Sequence, residues 1–441
     1  MQRWMGFVGM VWLLLAAASR LAAEPNKAEV ARAKEASEQG IALLQAHKFD
    51  DAIEAFTRAI AIEPSSAHTY ANRAVAYANR HDYKKAIADS TQAIRLDPKL
   101  ANAFNNRGLA YINTGEPDKA IADCTQALAL EPKYAKAYYN RGRAYVAKKQ
   151  LDRAIDDFSE SIRLNPRYPD VYRERGNAYR SSHESKRASR DFNQAIQLNP
   201  RDTEAYFSRG SLFWAQGEYD NSIGDFTVAI RLDPHDAESY LNRGLAYAKK
   251  RNYEHALADM SEALRLAPDK VQGYYDRGSV YDEQGDPDKA IADYSEAIRR
   301  NPKYTEAYLK RGGVYLRKHE LDAAQADFTQ AIQTAPQDTA GHFCLGTVHL
   351  LKSDFEAAIG DFDETLRLDP KNAQAYQERG LAYCKKGRFD KALEDYNEAI
   401  RLQPNSGEAY YNRGLVYREQ GQTAIAVLDF LEAKKLGYQP K

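Results

Sequence analysis

Apolar and aromatic residues return along this chain at a fixed interval longer than any single helix or strand. A terminating proline stands at Pro64, Pro98, Pro132, Pro166, Pro200, Pro234, Pro268, Pro302, Pro336, Pro370 and Pro404, each 34 residues after the last. Counting that proline as position 32 divides residues 33–440 into twelve contiguous repeats without an insertion, the twelfth carrying Tyr438 in its place. Aromatics at positions 4 and 11, such as Tyr138 and Tyr145, lie two helical turns apart and share one face. Glycine at position 8 between them, such as Gly108, Gly142 or Gly176, costs a helix about 1 kcal/mol, which predicts that a neighbouring helix comes close there. Positions 15–18 carry turn chemistry, as in Gly115-Glu116-Pro117-Asp118, with an acidic residue at position 18 in nine repeats. That acid is placed to cap a second helix or to favour its positive end. The second helix then presents Ala at 20, a bulky residue at 24 and Leu nearby, Ala154, Phe158 and Leu164 being one set, along a single apolar stripe.

One helix pair of this kind cannot bury its own stripe, so successive pairs must stack to make a core. These residues resemble the tetratricopeptide repeat family across residues 33–440. The resemblance implies an all-α fold, a right-handed superhelical solenoid of twelve helix-turn-helix units, with the first helix of each pair lining a concave groove. A further regularity concerns charge. Position 7 is Arg in ten repeats, from Arg73 to Arg413, and position 23 is Asp in eleven, from Asp89 to Asp429. Repeat 1 lacks both, having Gln39 and Ala55, so the two are expected to pair between the helices of one repeat. Repeat 10 departs from the rule, with Leu345 opposite Asp361.

Ahead of the repeats, Arg3, an apolar run from Trp4 to Ala18 and small residues up to Ala23 read as a secretory signal over residues 1–23, followed by a lead-in over 24–32. The run is short for a transmembrane helix. Cleavage after Ala23, or earlier after Ala18, leaves an exported chain, periplasmic or secreted, with no membrane contact; an uncleaved N-terminal anchor is the alternative. The sequence holds 62 basic and 62 acidic residues, and losing Arg3 and Arg20 leaves a net charge of −2. No global field therefore recruits nucleic acid or an anionic membrane. Cys124, Cys344 and Cys384 have no CxxC spacing, which argues against a disulfide scaffold and a zinc site.

By the resemblance, positions 2, 5, 6, 9, 12 and 13 of each first helix face the groove. Repeats 2 and 3 are amide-rich there, with Asn72 and Asn79, then Asn102, Asn105, Asn106 and Asn113. Repeat 4 adds Lys136, Tyr139, Asn140 and Arg143. Asparagine is a poor helix-interior residue, and its donors and acceptor suit the backbone of an extended peptide. The asparagines at position 6 (Asn72, Asn106 and Asn140) resemble the ladder in the repeat arm of O-GlcNAc transferases; the plainer reading is a solvated polar face. Repeat 6 offers Phe207 and Trp214 as aromatic anchors, and repeat 8 turns acidic through Asp276, Asp282 and Glu283. Repeat 10 is apolar, with Phe343, Cys344, Leu350 and Leu351, and has His342 and His349 in place of both aromatics. A metal site of His342, Cys344 and His349 fails on geometry, because two residues turn a helix by about 200°. The carboxylate clamp of chaperone-binding relatives begins at Arg173 and Asn177, but Ser208, Glu238 and Asn242 do not continue it.

The repeats leave no room for a catalytic domain, and no phosphate-cradling loop, nucleophile elbow or helical metal motif occurs. No enzyme and no cofactor is expected. The expected function is a non-catalytic scaffold of the cell envelope that binds an extended peptide or partner protein in the groove. The alternatives are a self-assembling structural protein, joined through the apolar last helix, or a regulatory subunit of an envelope complex.

Overall fold

The computed structural model describes residues 26–439; the expected signal segment lies outside the described residues. These residues form 24 α-helices and no strand. The common pattern is a helix over positions 1–13 and another over 17–30, as in Ala135–Ala147 and Leu151–Leu164; the first helix of repeat 8, Val271–Gln284, is one residue longer and the last helix, Thr423–Lys435, one shorter. Repeat 1 is longer: its first helix, Lys27–Gln45, begins ahead of Ala33, where Asn26 and Glu29 form a reciprocal capping box. The described residues form two compact bodies, one up to Gln216 and one from Gly217, which divide in the turn of repeat 6. Within each body a helix packs on the ones before and after it, and first helices of successive repeats also touch.

The turn closing each first helix is set by backbone geometry rather than by one residue type. Position 15 is left-handed in every repeat, at Gly115 (φ 77°) and at Lys149 (φ 58°) alike. The N–H of position 16 returns to the carbonyl of position 11, Gln150 to Tyr145 at 2.9 Å, which closes the helix end. Acids at position 18 lie inside the first turn of the second helix instead of capping it. Among the described residues six of the nine accept from a cation in the next repeat, as Asp288 does from Lys318 at 2.7 Å and Asp118 from Lys148. Capping falls to position 16 where it is Asp or Asn: Asp82 and Asp286 accept from the backbone of Lys85 and Lys289.

The glycine at position 8 has the packing reason its cost demanded. A Cβ built on Gly142 would lie 2.6 Å from the ring of Phe158 at position 24. Repeat 2 solves the same contact with the volumes exchanged, Ala74 facing the small Ser90.

The Arg and Asp regularity resolves into a repeated ion pair. In at least nine repeats the guanidinium bonds both carboxylate oxygens, Arg141 Nε and Nη2 reaching Asp157 at 2.8 and 2.7 Å. Its Nη1 crosses to position 25 of the preceding repeat, Arg141 to Thr125 Oγ1 at 3.2 Å and Arg311 to Ser295 Oγ at 2.8 Å. The aromatics at 4 and 11 cover the guanidinium, as Tyr70 and Tyr77 do for Arg73 at 5.6 and 5.7 Å. One arginine thus ties two helices of its own repeat to the repeat before it.

Candidate functional site

The amide-rich stretch gathers into one cavity of about 360 Å³ within the first body. Three successive first helices, Ala67–Asn79, Ala101–Asn113 and Ala135–Ala147, bring Asn79, Asn105, Asn106, Lys136, Tyr139, Asn140 and Arg143 to its wall. Seven of the twelve predicted residues therefore share one site. Val75, Ala78 and Leu109 supply its apolar lining.

The amides are not equally available. Asn140 and Asn105 are buried and bonded to each other, Nδ2 to Oδ1 at 2.9 Å, across two repeats. Asn106 Nδ2 reaches back to the Ala71 carbonyl at 3.3 Å. Asn79 and Asn113 are exposed, and each donates to the carbonyl four residues before it, Val75 and Leu109, at 2.8 Å. The ladder is thus partly consumed in joining repeats, and what it offers a ligand is chiefly carbonyl oxygens and the second amide hydrogens.

Five predicted residues stand outside the cavity. Asn72 and Asn102 are half-buried, and Asn102 Oδ1 is buried without a hydrogen-bond partner. Asn113 lies at the exposed end of its helix, Phe207 is half-buried, and Trp214 is 37% exposed.

Two lining residues come from a position outside the predicted groove set. Tyr134 and Tyr168 occupy position 34, just ahead of the next first helix. Position 34 meets position 5 of its own repeat: Tyr168 packs on Tyr139 at 5.1 Å, Tyr304 on Tyr275 at 5.1 Å, and Asp202 accepts from Arg173 at 2.6 Å. The sequence carried a signal for this, since tyrosine stands at position 34 only in repeats 3, 4 and 8. Burial pushes the Tyr134 phenol up to about 12 and raises that of Tyr139 as well, so both hydroxyls are neutral donors at physiological pH.

Elsewhere several charged groove residues are paired within the fold. Arg173, where the clamp pattern began, is held by Asp202, Asp170 at 3.2 Å and Glu204 at 3.1 Å. In repeat 8, Asp282 is paired with Arg317, and half-buried Asp276 accepts from Gln272 at 2.8 Å. In repeat 10, Phe343 and Leu350 pack on neighbouring core residues while Leu351 is 53% exposed. Burial pushes the Cys344 thiol up to about 11. Among the described residues no group of three His, Cys, Asp or Glu converges to hold a metal, and no helix is long and apolar enough to cross a membrane.

Stacked helix pairs, with an amide-lined cavity across consecutive first helices, define an α-helical repeat protein. Family models agree. "Tetratricopeptide repeat" models match residues 37–101, 173–237, 214–271, 275–339 and 309–373, then 101–134 and 135–168, 362–394 and 407–436, and a "TPR repeat" model matches 380–421. The chain belongs to the tetratricopeptide repeat family. Among solved structures it is similar to MamA (28% identity, 36% of this chain and 94% of that one, TM-score 0.35). It is also similar to YrrB, described as a TPR protein with an unusual peptide-binding site (29%, 42% and 95%, TM-score 0.36). Yeast Tom70 aligns over 92% of this chain and 99% of that one at 18% identity and TM-score 0.40. A search of curated proteins finds no match.

Proposed function

We propose that this chain is a non-catalytic interaction scaffold of the cell envelope that holds an extended peptide, or an extended segment of a partner protein, in the groove of repeats 2–4. The observation that carries this reading is the cavity, to which three consecutive first helices each contribute asparagine. An extended chain advances about 3.3 Å per residue, and packed helices lie about 8–10 Å apart, so each repeat serves about three ligand residues. Export rests on the composition of residues 1–23.

A randomised decapeptide library passed over the immobilised full chain tests this. Wild type is expected to retain a defined set of peptides that an Asn79→Ala/Asn106→Ala variant, folded by its thermal melt, retains at least tenfold less. Retention of nothing by wild type, or of the same set by both proteins, rejects the groove.

A specific observation favours self-association as a second reading. On the last helix, Thr423–Lys435, Ile425, Leu428 and Leu431 are 43, 66 and 58% exposed at positions 19, 22 and 25, where no other repeat has a large apolar residue. At the other end Glu35 is exposed at position 3, elsewhere Ala, Gly, Ser, Thr or Val, so head-to-tail stacking would bury a carboxylate. A two-fold contact through the last helix avoids that cost. Sedimentation is expected to show a dimer that Leu428→Asp dissociates; a monomer at high concentration rejects it.

A further inference from the structure

The cations of the cavity differ from the arginines at position 7 and from Arg173 by what they lack. Arginine at position 7 is neutralised within the fold wherever its ion pair is described, and Arg173 is surrounded by three carboxylates. Lys136 and Arg143 line the cavity with no ion pair or hydrogen bond among the described residues. The contact Arg143 makes is with the face of Tyr139, 5.7 Å from the ring centre. Further along the groove, half-buried Arg180 is met only by the Ser208 carbonyl at 3.5 Å, and burial lowers its pKa with no anion to offset it.

The acidic groups facing this region are Glu174, Asp170 and Glu204. Asp170 and Glu204 are engaged by Arg173. Glu174 is near enough to Arg143 and Arg173 for their charge to act on it, yet burial outweighs them and raises its pKa, and no hydrogen bond joins it to either. Arg143 is therefore left with its guanidinium donors unsatisfied beside an aromatic wall.

We propose that the cavity receives the carboxylate of an internal Asp or Glu side chain of an extended peptide, clasped between Arg143 and Lys136 over the Tyr139 ring. This rests on the groove reading above and adds its ligand chemistry. A guanidinium fork matches a carboxylate in shape as well as charge. The acid is internal because polar groups that can serve a main chain continue on both sides. Asn79 and Asn106 precede the cations, and Asn177, whose buried Oδ1 has no partner, follows them. A polyanion fits worse, because Asp170, Glu174 and Glu204 border the site and would repel successive phosphates.

The same decapeptide selection decides it, run with C-terminally amidated and free-acid libraries on the full chain. In the amidated library, wild type is expected to enrich Asp and Glu over Asn and Gln at one central position by at least tenfold. Arg143→Met/Lys136→Met, with an unchanged melt, is expected to abolish that enrichment while still retaining peptides. Retained peptides without an acidic preference overturn this proposal and leave the groove standing, whereas no retained peptide at all removes the groove as well. Enrichment confined to the last residue of the free-acid library assigns the site to a terminal carboxylate and overturns the internal one. Retention of labelled oligo-dT that is equally sensitive to the double substitution overturns a peptide ligand.

Discussion

His349 Nδ1 donates to Asp361 Oδ2 at 2.6 Å, and in doing so replaces the arginine that repeat 10 lacks. The aromatic box and its cation have changed together here, to His342, Leu345 and His349, while the partly buried carboxylate remains. The Arg bond to the preceding repeat is absent as well: Thr329 Oγ1, at position 25 of repeat 9, keeps the bond to the Gln325 carbonyl at 2.8 Å that Thr227 and Ser295 also make within their own helices, and has no arginine opposite it. His349→Phe leaves Asp361 without its donor and is expected to cost about 1–3 kcal/mol in denaturant unfolding. His342→Tyr/Leu345→Arg/His349→Tyr restores the common arrangement and is expected to match or exceed wild type. If His349→Phe is neutral, the substitution of one pair for the other is wrong.

The repeated ion pair predicts strong coupling. Arg141→Ala strands the buried Asp157 and is expected to destabilise by about 3 kcal/mol, with Arg141→Ala/Asp157→Ala costing little more. Unfolding midpoints of the two single and the double variants close the cycle, and additive losses would show that the residues act independently.

Ser90 is the small partner of Ala74, and its fully buried Oγ has no hydrogen-bond partner. Ser90→Ala removes that hydroxyl at nearly constant volume and is expected to stabilise by about 1 kcal/mol. Gly142→Ala forces a methyl group against Phe158 and is expected to destabilise by about 1–3 kcal/mol. Equal melting temperatures for these two variants would contradict the packing described for positions 8 and 24.

Asp276 makes stability depend on pH. Burial raises its pKa from 3.8 to about 6, so the folded chain holds this proton more tightly than the unfolded chain does. Stability is accordingly lost as pH rises from about 3.8 through about 6, and the ionised carboxylate carries its full cost above that range. Asp276→Asn still accepts from Gln272 and is expected to gain about 1 kcal/mol at pH 7.5, a gain that shrinks towards zero near pH 4. A gain independent of pH would mean that ionisation is not its source.

The repeat, its two helices, the close approach at position 8 and the pairing of Arg141 with Asp157 were legible in the sequence. Each is a periodic constraint imposed many times on similar local geometry, so internal comparison substitutes for coordinates. Repeat 10 showed only a missing arginine. That His349 fills the gap depends on a histidine at position 11 reaching the carboxylate across the helix pair, which happens once and leaves no period to read.

The groove divides along the same line. Sequence determined that repeats 2–4 concentrate amides, a tyrosine and two cations on first helices. Tertiary structure decided which of them line the cavity. Asn140 spends its amide on Asn105, 35 residues away, and Asn79 bends onto its own helix, while no hydrogen bond joins Arg143 to a carboxylate among the described residues. Position 34 enters the site because the turn before each first helix folds onto position 5. Helical spacing specifies a face, but hydrogen-bond partners across repeats are chosen by rotamer and by the offset between neighbouring helices, which exist only once the pairs are stacked.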